Sequence, residues 1–366
     1  MKFNIKKTLL LKPLQKLNNI ITINHESPIT NNIVLKLKKN SILLTSTNLE
    51  MELTTQIQLL GYDYDSEINI PGKKLLNIIR SFPDNININF TIKKNIIKIT
   101  YENIYFELKI SNNHHFPKFI QDQNSNHITL QQIKLKNIFY NTAFSMAKQD
   151  IRHYLNGIHL EISKNKICSV STDGYRMSIC YTKINYENKS SSIIIPRKTV
   201  IEVMKILENN EKNCIIYIGS KMVQFRINEY IISSKLIDNE FPNYKNFFIQ
   251  DFHQQIKINK ILLKTALTRA SILTNQKFPG VKLSIKDKIC IISSKNENNE
   301  IVREILTIDN INTTIELTMN INYFIDVINV IDDEFITIFL NKNISSIYIQ
   351  HIRQYHSFYI IMPLII

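Results

Sequence analysis

Ile70-Pro71-Gly72-Lys73-Lys74-Leu75-Leu76 reappears further along the chain as Ile195-Pro196-Arg197-Lys198-Thr199-Val200-Ile201, its proline 125 positions on (71 to 196). A weaker third copy is Met319-Asn320-Ile321-Asn322-Tyr323-Phe324-Ile325. The apolar stripe keeps step: Leu75, Ile79 and Phe82 answer to Val200, Met204 and Leu207, and then to Phe324, Ile328 and Ile331. A second motif, Phe116-Pro117-Lys118-Phe119, returns as Phe241-Pro242-Asn243-Tyr244, and a third, Ser46-Thr47-Asn48, as Ser171-Thr172-Asp173. A period this long exceeds that of solenoid repeats, so each copy is expected to carry its own core. Three tandem copies of a domain-sized unit point to a molecule organised by symmetry rather than around one catalytic pocket.

The 366 residues accommodate three such units, and a hydrophobic content of 44% supplies three cores. With 6 Gly and 9 Pro there is little material for long flexible linkers. No apolar run is long enough for a membrane span, and the start Met1-Lys2-Phe3-Asn4 has no signal-peptide core, which predicts a cytoplasmic protein. Cys168, Cys180, Cys214 and Cys290 form no CxxC pair and sit in apolar, strand-like context, as buried structural thiols do.

Each copy reads as helix, strands, helix, strands, an α+β domain of two helices on antiparallel sheets. The opening helix shows at Leu10, Leu14, Leu17 and Ile21, with Pro13 required to lie early or to kink it. Its counterparts are expected over Leu135–Met146 and Ile261–Leu273. Ile33–Leu37, Ile96–Tyr101, Ile215–Ile218, Val223–Ile227 and Ile347–Gln350 read as strands. Boundaries are expected in the polar stretches 121–127 and 250–255, giving domains over 1–125, 126–250 and 251–366.

Familiar catalytic apparatus is missing from the sequence. The glycines compose neither GxGxxG nor a Walker loop, and there is no HExxH or GxSxG. His114-His115 and the His351/His356 pair lack ligand-spaced partners. Asp150, Glu161 and Asp173 could form a two-metal nuclease centre if they converge in space, but helix-end and turn duties explain the aspartates cheaply. The expectation is therefore no catalytic residue, no metal and no cofactor.

Lys and Arg number 45 against 31 Asp and Glu, a formal charge of +14. Because Lys, Asn and Ile crowd the whole chain, the placement of the charges carries more than their sum. Helical segments hold Lys7, Lys12, Lys16, Lys73, Lys74 and Arg80 in copy one. Copy two offers Lys136, Lys148, Arg152, Arg197, Lys198 and Lys205, and copy three Lys260, Lys264 and Arg269. Lys73/Lys198 and Arg80/Lys205 are repeat-equivalent, with Asn322 and Asn329 in the third copy. A recurring basic helix face without aromatic interleaving implies salt-sensitive contact with phosphates and no base reading.

At this point the residues resemble a known family, the bacterial sliding clamps that are the beta subunits of DNA polymerase III. The resemblance spans the chain and is carried by Met1-Lys2-Phe3, Leu10–Gln15, Thr47–Glu52, Phe144–Ala147, Asp150–Gly157, Ser171–Arg176, Ile195–Lys198, Phe241–Tyr244 and Met362-Pro363-Leu364. It implies half of a six-domain ring closed head to tail by a second subunit, with helices lining a hole for duplex DNA. The implied role is non-catalytic tethering, a processivity factor for the replicative polymerase, whose alpha subunit, clamp loader and other partners dock through short Gln-Leu-x-Leu-Phe-like peptides. By the same resemblance the peptide cleft is Leu155, Thr172, Gly174, Tyr175, Arg176, Met177, Pro242, Phe247, Ser346, Ile360, Met362, Pro363 and Leu364, with Arg152, Tyr154 and Tyr323 at its edge. DNA would face Lys12, Lys73, Arg80, Lys136, Lys148, Gln149, Arg197, Lys198 and Lys205. The subunit joint would use Phe106 and Leu108 against Ile272 and Leu273, fringed by Lys74, Glu300 and Glu304. Three features depart from the family pattern: Tyr175 in place of a frequent His, Asn246-Phe247 for a common Arg-Val, and an apolar end, Leu364-Ile365-Ile366. Two other readings make different predictions: a nuclease would need divalent metal and Asp150 or Asp173, and a non-topological binder would hold linear and circular DNA alike.

Overall fold

The computed structural model describes residues 1–22, 28–59, 65–111, 119, 126–186, 190–247, 252–275, 279–308, 314–352 and 356–364. The Phe116-Pro117-Lys118 motif, most of 121–127, part of 250–255, His114-His115 and the last two residues lie outside them.

The three copies share one order of elements: strand, helix, four strands, helix, three strands. Copy one is β1 (Lys2–Lys6), α1 (Lys7–Ile20), β2 (Asn32–Lys38), β3 (Ser41–Thr47), β4 (Met51–Gln58), β5 (Ser66–Pro71), α2 (Gly72–Ser81), β6 (Asn87–Lys93), β7 (Ile96–Tyr101) and β8 (Ile104–Lys109). Copy two is β9 (Asn126–Gln131), α3 (Gln132–Tyr140), β10 (Gly157–Ser163), β11 (Lys166–Thr172), β12 (Arg176–Lys183), β13 (Ser191–Pro196), α4 (Arg197–Ile206), β14 (Asn213–Ile218), β15 (Met222–Ile227) and β16 (Tyr230–Lys235). Copy three is β17 (Gln254–Asn259), α5 (Lys260–Ala270), β18 (Gly280–Lys286), β19 (Ile289–Lys295), β20 (Ile301–Thr307), β21 (Ile315–Asn320), α6 (Ile321–Val330), β22 (Phe335–Leu340), β23 (Ile347–Ile352) and β24 (His356–Ile361). The opening repeat marks one junction three times: a strand ends at Pro71, Pro196 or Asn320 and a helix starts at the next residue.

The chain folds as two compact bodies that divide copy two between them. The first takes residues 1–133 and 201–236, the second 134–200 and 237–366. In the first, a four-stranded sheet runs β1-β6-β7-β8 and an eight-stranded sheet runs β5-β2-β3-β4-β16-β15-β14-β9. The second holds the eight-stranded β13-β10-β11-β12-β24-β23-β22-β17 and the four-stranded β20-β19-β18-β21. The pairings are antiparallel, and each long sheet joins two successive copies. β4 pairs with β16 from Thr55↔Tyr230 to Met51↔Ser234, and β12 with β24 from Arg176↔Ile361 to Tyr181↔His356. Strand pairing at these joints satisfies edge N–H and C=O groups that would otherwise stand open. Copy three packs its own core, which includes Leu263, Leu267, Val281, Ile292, Phe324 and Ile338.

Helix faces follow the apolar spacing. α1 buries Leu10, Leu14, Leu17 and Ile20, and α2 buries Leu75, Leu76 and Ile79. Each such side chain contributes about 1.5–3 kcal/mol of burial. Pro13 lies inside α1 and is itself buried, so the missing bond falls at the carbonyl of Leu9, whose side chain is exposed. The other opening helices are shorter than expected. α3 stops at Tyr140, because the Thr142 hydroxyl donates to the Ile138 carbonyl (2.8 Å) and bonds Ser169 Oγ (2.7 Å), drawing the chain into a 3-10 turn, Ala143–Ser145. α5 passes at Ala270 into the 3-10 turn Ser271–Leu273.

Lys7 also departs from its reading as part of a basic face. It is buried at 5% exposure, and its ammonium donates to the carbonyls of Phe82 (2.5 Å) and Arg80 (3.4 Å) and to Asp84 (2.8 Å), closing the C-terminus of α2. The first helical residue of each copy reaches the end of that copy's second helix, as a carbonyl cap in copies one and three and as an acceptor for a backbone N–H in copy two. Lys260 Nζ donates to the Ile331 carbonyl behind α6, and Gln132 Oε1 accepts from the Glu208 N–H behind α4 (3.0 Å).

Candidate functional site: an apolar cleft and its surroundings

The Ser171-Thr172-Asp173-Gly174-Tyr175-Arg176 stretch builds the turn from β11 to β12. Thr172 Oγ1 donates to the Arg176 carbonyl (2.6 Å) and accepts from the Gly174 N–H (3.0 Å). Asp173 Oδ1 accepts from the N–H groups of Tyr175 (3.0 Å) and Arg176 (3.1 Å), an Asx turn. Gly174 has φ +94, a left-handed backbone that glycine adopts most readily, and a Cβ there would come within 3.0 Å of Arg152 Nη2. The repeated Ser46-Thr47-Asn48 makes the same turn in copy one: Thr47 Oγ1 donates to the Met51 carbonyl, Asn48 Oδ1 accepts from Glu50 and Met51, and Leu49 takes φ 75.

Arg176 leaves this turn 10% exposed with each guanidinium nitrogen donating a hydrogen bond. Nε donates to Asp173 (3.0 Å), Nη1 to Asp326 on α6 (2.6 Å) and Nη2 to the Phe144 carbonyl (2.6 Å), while the plane lies 4.4 Å over the Tyr323 ring. Arg152 grips Asp150 through its backbone N–H (2.8 Å), Nε (3.0 Å) and Nη2 (2.9 Å), holding that carboxyl down at about 2. Asn156 closes the same loop, donating to the Asp150 carbonyl (2.8 Å) and accepting its N–H (2.9 Å).

These elements enclose a cavity of about 200 Å³ lined by Arg152, Tyr154, Leu155, Thr172, Gly174, Tyr175, Arg176, Met177, Pro242, Phe247, Ser346, Ile360 and Met362. Met177 and Ile360 are cross-strand partners in the β12–β24 joint and form apolar wall, and Met362 N–H donates to the Tyr175 carbonyl (2.9 Å). The lining thus unites all the expected cleft residues except three. Tyr323 lies beneath Arg176, and Pro363 and Leu364 line a neighbouring open cavity of about 710 Å³ with Lys282, Lys295 and Glu316. Of the residues that depart from the family pattern, Tyr175 and Phe247 line the cavity and are exposed at 62% and 45%, so these two differences sit at its mouth. An apolar concavity with few oriented polar groups suits a short peptide bearing Leu and Phe side chains.

The carboxylates considered for metal chemistry are each occupied by a base. Asp150 holds Arg152, Asp173 holds Arg176, and Glu161 accepts from Lys245 (3.1 Å) and from the Tyr244 hydroxyl (2.6 Å). Among the described residues no three His, Cys, Asp or Glu side chains cluster as metal ligands. His351 Nε2 lies 3.1 Å from Asp333, and His356 stacks on Tyr181.

Of the residues expected to face DNA, Lys12, Lys73, Arg80, Lys148, Gln149 and Lys205 are exposed and Lys136, Arg197 and Lys198 half-buried. Lys205 pairs with Glu202 (2.7 Å). Arg197 Nη1 donates to the Met146 carbonyl (2.9 Å), and burial, helped by the charge of Arg176, pushes its guanidinium below its ordinary range. Arg197 therefore anchors the loop that carries Lys148 and Gln149.

Phe106 and Leu108 lie half-buried on β8, an edge strand, with Phe106 edge-on to Phe82 at 5.8 Å. Ile272 is 76% exposed in the 3-10 turn after α5, Leu273 is half-buried, and Lys74 and Glu300 are exposed. Glu304 is held by Arg269, whose Nη2 donates at 2.6 Å. The sequence reading passed over Ile301 and Ile305, which stand 65% and 62% exposed on β20, also an edge strand. Their signal was there: Ile301-Val302-Arg303-Glu304-Ile305-Leu306 is apolar on both faces, unusual for a strand with one face to water.

Family models for the N-terminal, central and C-terminal domains of the DNA polymerase III beta subunit match residues 1–120, 129–243 and 245–365. The chain is 35% identical to a beta sliding clamp of Buchnera aphidicola subsp. Rhopalosiphum padi and 31% identical to that of Escherichia coli strain K12, covering 100% of both chains in each case. It superposes with a TM-score of 0.94 on the crystal structure of the DNA polymerase III subunit beta from Pseudomonas aeruginosa, at 27% identity and over 100% of both chains. A sliding clamp of the same organism bound to griselimycin matches equally, with a TM-score of 0.94. With three clamp domains in order and full-length relatives, the chain belongs to the DNA polymerase III beta subunit family, the bacterial DNA sliding clamps.

Proposed function

We propose that this clamp closes around duplex DNA as a head-to-tail homodimer and works without catalysis, tethering the replicative polymerase and other partners through the apolar cleft. The observation that carries the ring is a mismatch among repeat-equivalent strands. β4 of copy one pairs with β16 of copy two, and β12 of copy two with β24 of copy three. The remaining members of those two sets, β20 and β8, are edge strands. A second molecule offering its β8 to β20, and its β20 to β8, repeats the same joint and closes a six-domain, two-fold assembly with no such edge left over. Ile272, Ile301 and Ile305 would then be covered, which explains their exposure in a single chain.

The bases recurring on α2 and α4, of which Arg80 and Lys205 are both exposed, support sequence-independent phosphate contact inside the ring. The cleft is the docking site for peptides of the polymerase alpha subunit, the clamp loader and other replication proteins, and the working compartment is the cytoplasm. Tethering raises the local concentration of polymerase at the primer end, which is how a protein with no chemistry of its own confers processivity.

Retention on nicked circular DNA, loaded by a cognate loader and followed before and after one restriction cut, tests the ring. Escape from the cut ends alone is expected of a topological link. Equal retention on circle and linear DNA would reduce the molecule to an ordinary phosphate binder.

A further inference from the structure

One wall of the cleft is supplied by a segment that belongs to no strand. Pro242 and Phe247 come from residues 241–247, which end in the 3-10 turn Tyr244–Phe247. Side-chain contacts with β10 hold this segment. The Phe241 ring stacks on the His159 imidazole at 4.7 Å and 14°, the Tyr244 ring meets it edge-on at 6.0 Å, and Tyr244 and Lys245 both donate to Glu161. His159 is buried, and among the described residues its Nδ1 has no hydrogen-bond partner.

We propose that His159 is a positioning residue for this wall, seating Phe241 and hence Pro242 while its imidazole is neutral, and that its protonation unseats the segment and weakens peptide binding. The inference rests on the peptide-cleft reading above.

A neutral imidazole needs one donor and one acceptor satisfied, whereas the imidazolium carries two donors and a charge. The surroundings offer little to either. Glu161 on the same strand favours the cation, but its two oxygens already accept from Tyr244 and Lys245. Lys245 repels it, and across β11 stand Val170 and Cys168, the thiol kept protonated by burial with its pKa pushed up to about 11. β13 presents apolar Ile194 opposite. Burial accordingly lowers the pKa of His159 from its ordinary value, ahead of the opposing pull of Glu161. A proton added there draws water in, and the ring in the way is Phe241. Sequence reading missed this residue because a lone histidine in an apolar strand has no signature until the Phe-Pro segment folds over it.

The test uses the full-length protein and a rhodamine-labelled, end-blocked Gln-Leu-Ser-Leu-Phe peptide, which carries no group titrating near neutrality. Affinity is read by anisotropy from about pH 8 to about pH 4.5, reaching well below the ordinary histidine range because burial lowers this group. Wild type is expected to weaken as pH falls below the ordinary histidine value, by at most about tenfold per pH unit for one proton. His159→Phe, which retains a stacking ring, is expected to bind at pH 8 like wild type with no such slope. Glu161→Gln keeps an acceptor for Tyr244 and removes the charge, so the midpoint should move to lower pH. A pH-independent wild type, or a wild-type slope surviving in His159→Phe, overturns the inference. Absence of peptide binding by wild type even at pH 8 instead overturns the cleft reading, and this inference with it. Near-UV circular dichroism checks the fold of each variant, and Glu161→Gln carries the test should His159→Phe not fold.

Discussion

The ammonium of Lys7, at the first turn of α1, donates to the carbonyl of Phe82 just beyond the last turn of α2 at 2.5 Å. Seventy-odd residues of chain separate them, and the contact fastens the two helices of copy one at one end. The same position in copy three, Lys260, reaches the Ile331 carbonyl behind α6. A helix C-terminus leaves carbonyls without intrahelical partners, so a buried cation there satisfies groups that water cannot reach. Replacing Lys7 by Met keeps the stem and strips the donor. The expected loss is about 1–3 kcal/mol of stability, read as a lower urea midpoint with an unchanged slope. An unaltered midpoint would show that solvent reaches the α2 terminus.

Gly174→Ala forces a side chain into a left-handed backbone and against the Arg152 guanidinium. A cost of about 1–3 kcal/mol is expected, concentrated in the turn that forms the cleft mouth. Peptide affinity should fall while the dimer persists in sedimentation. Full affinity in the alanine variant would mean that the turn re-forms elsewhere in backbone space.

Reversing charge at Lys73, Lys198 and Lys205 should weaken DNA binding while leaving the subunit joint intact. For every phosphate no longer neutralised, the salt-dependence slope of DNA binding should fall by about 0.9. A triple Lys→Glu variant with the slope of wild type, in an intact ring, would remove these residues from the DNA-facing set. Lys205 pairs with Glu202, so its share should be the smallest.

Deleting the last five residues removes Met362, whose N–H donates to the Tyr175 carbonyl, and Leu364, whose N–H donates to the Thr318 carbonyl at 2.7 Å. The cleft loses a wall, and peptide binding should weaken at least about tenfold, equivalent to ~1.4 kcal/mol. The protein should remain a folded dimer, since β24 ends at Ile361. Peptide titration by fluorescence anisotropy and sedimentation of the same sample separate the two effects.

Asp150 supplies a pH marker for the loop beside the cleft. Hydrogen bonds from the Arg152 side chain and backbone hold its carboxyl at about 2, below its ordinary 3.8. A carboxyl lowered in the fold contributes stability that is complete above the unfolded value and is lost as pH falls through the folded one. The loop should therefore hold its geometry down to about pH 4 and loosen between there and about pH 2. A carbon-detected NMR titration should find Asp150 low in wild type and near its ordinary value in Arg152→Ala.

Much of the fold was legible because the repeat let weak signals reinforce one another. The repeated motif at Pro71, Pro196 and Asn320 marked an equivalent place in all three copies, which the structure shows to be a strand-to-helix junction. Where a local rule was overridden, polar side chains did it. Thr142 and Asn141 draw bonds from the α3 backbone and end a helix that apolar spacing alone would carry to Met146. The cleft was legible only by resemblance. Leu155 and Ile360 have the character of core residues, and nothing in their spacing separates a wall from a core.

The sequence alone determined three copies, two amphipathic helices in each, a turn at Asp173, and a basic, cysteine-poor composition. Those features are set by neighbours within a few residues, through periodicity, φ preference and side-chain capping. Only the tertiary structure decided which strand joins which copy, that Lys7 is a buried cap rather than a surface charge, and that His159 lies under Phe241. Each of these pairs residues some seventy or more apart. Their energetics come from desolvation and from hydrogen bonds completed across the fold, which no local pattern encodes.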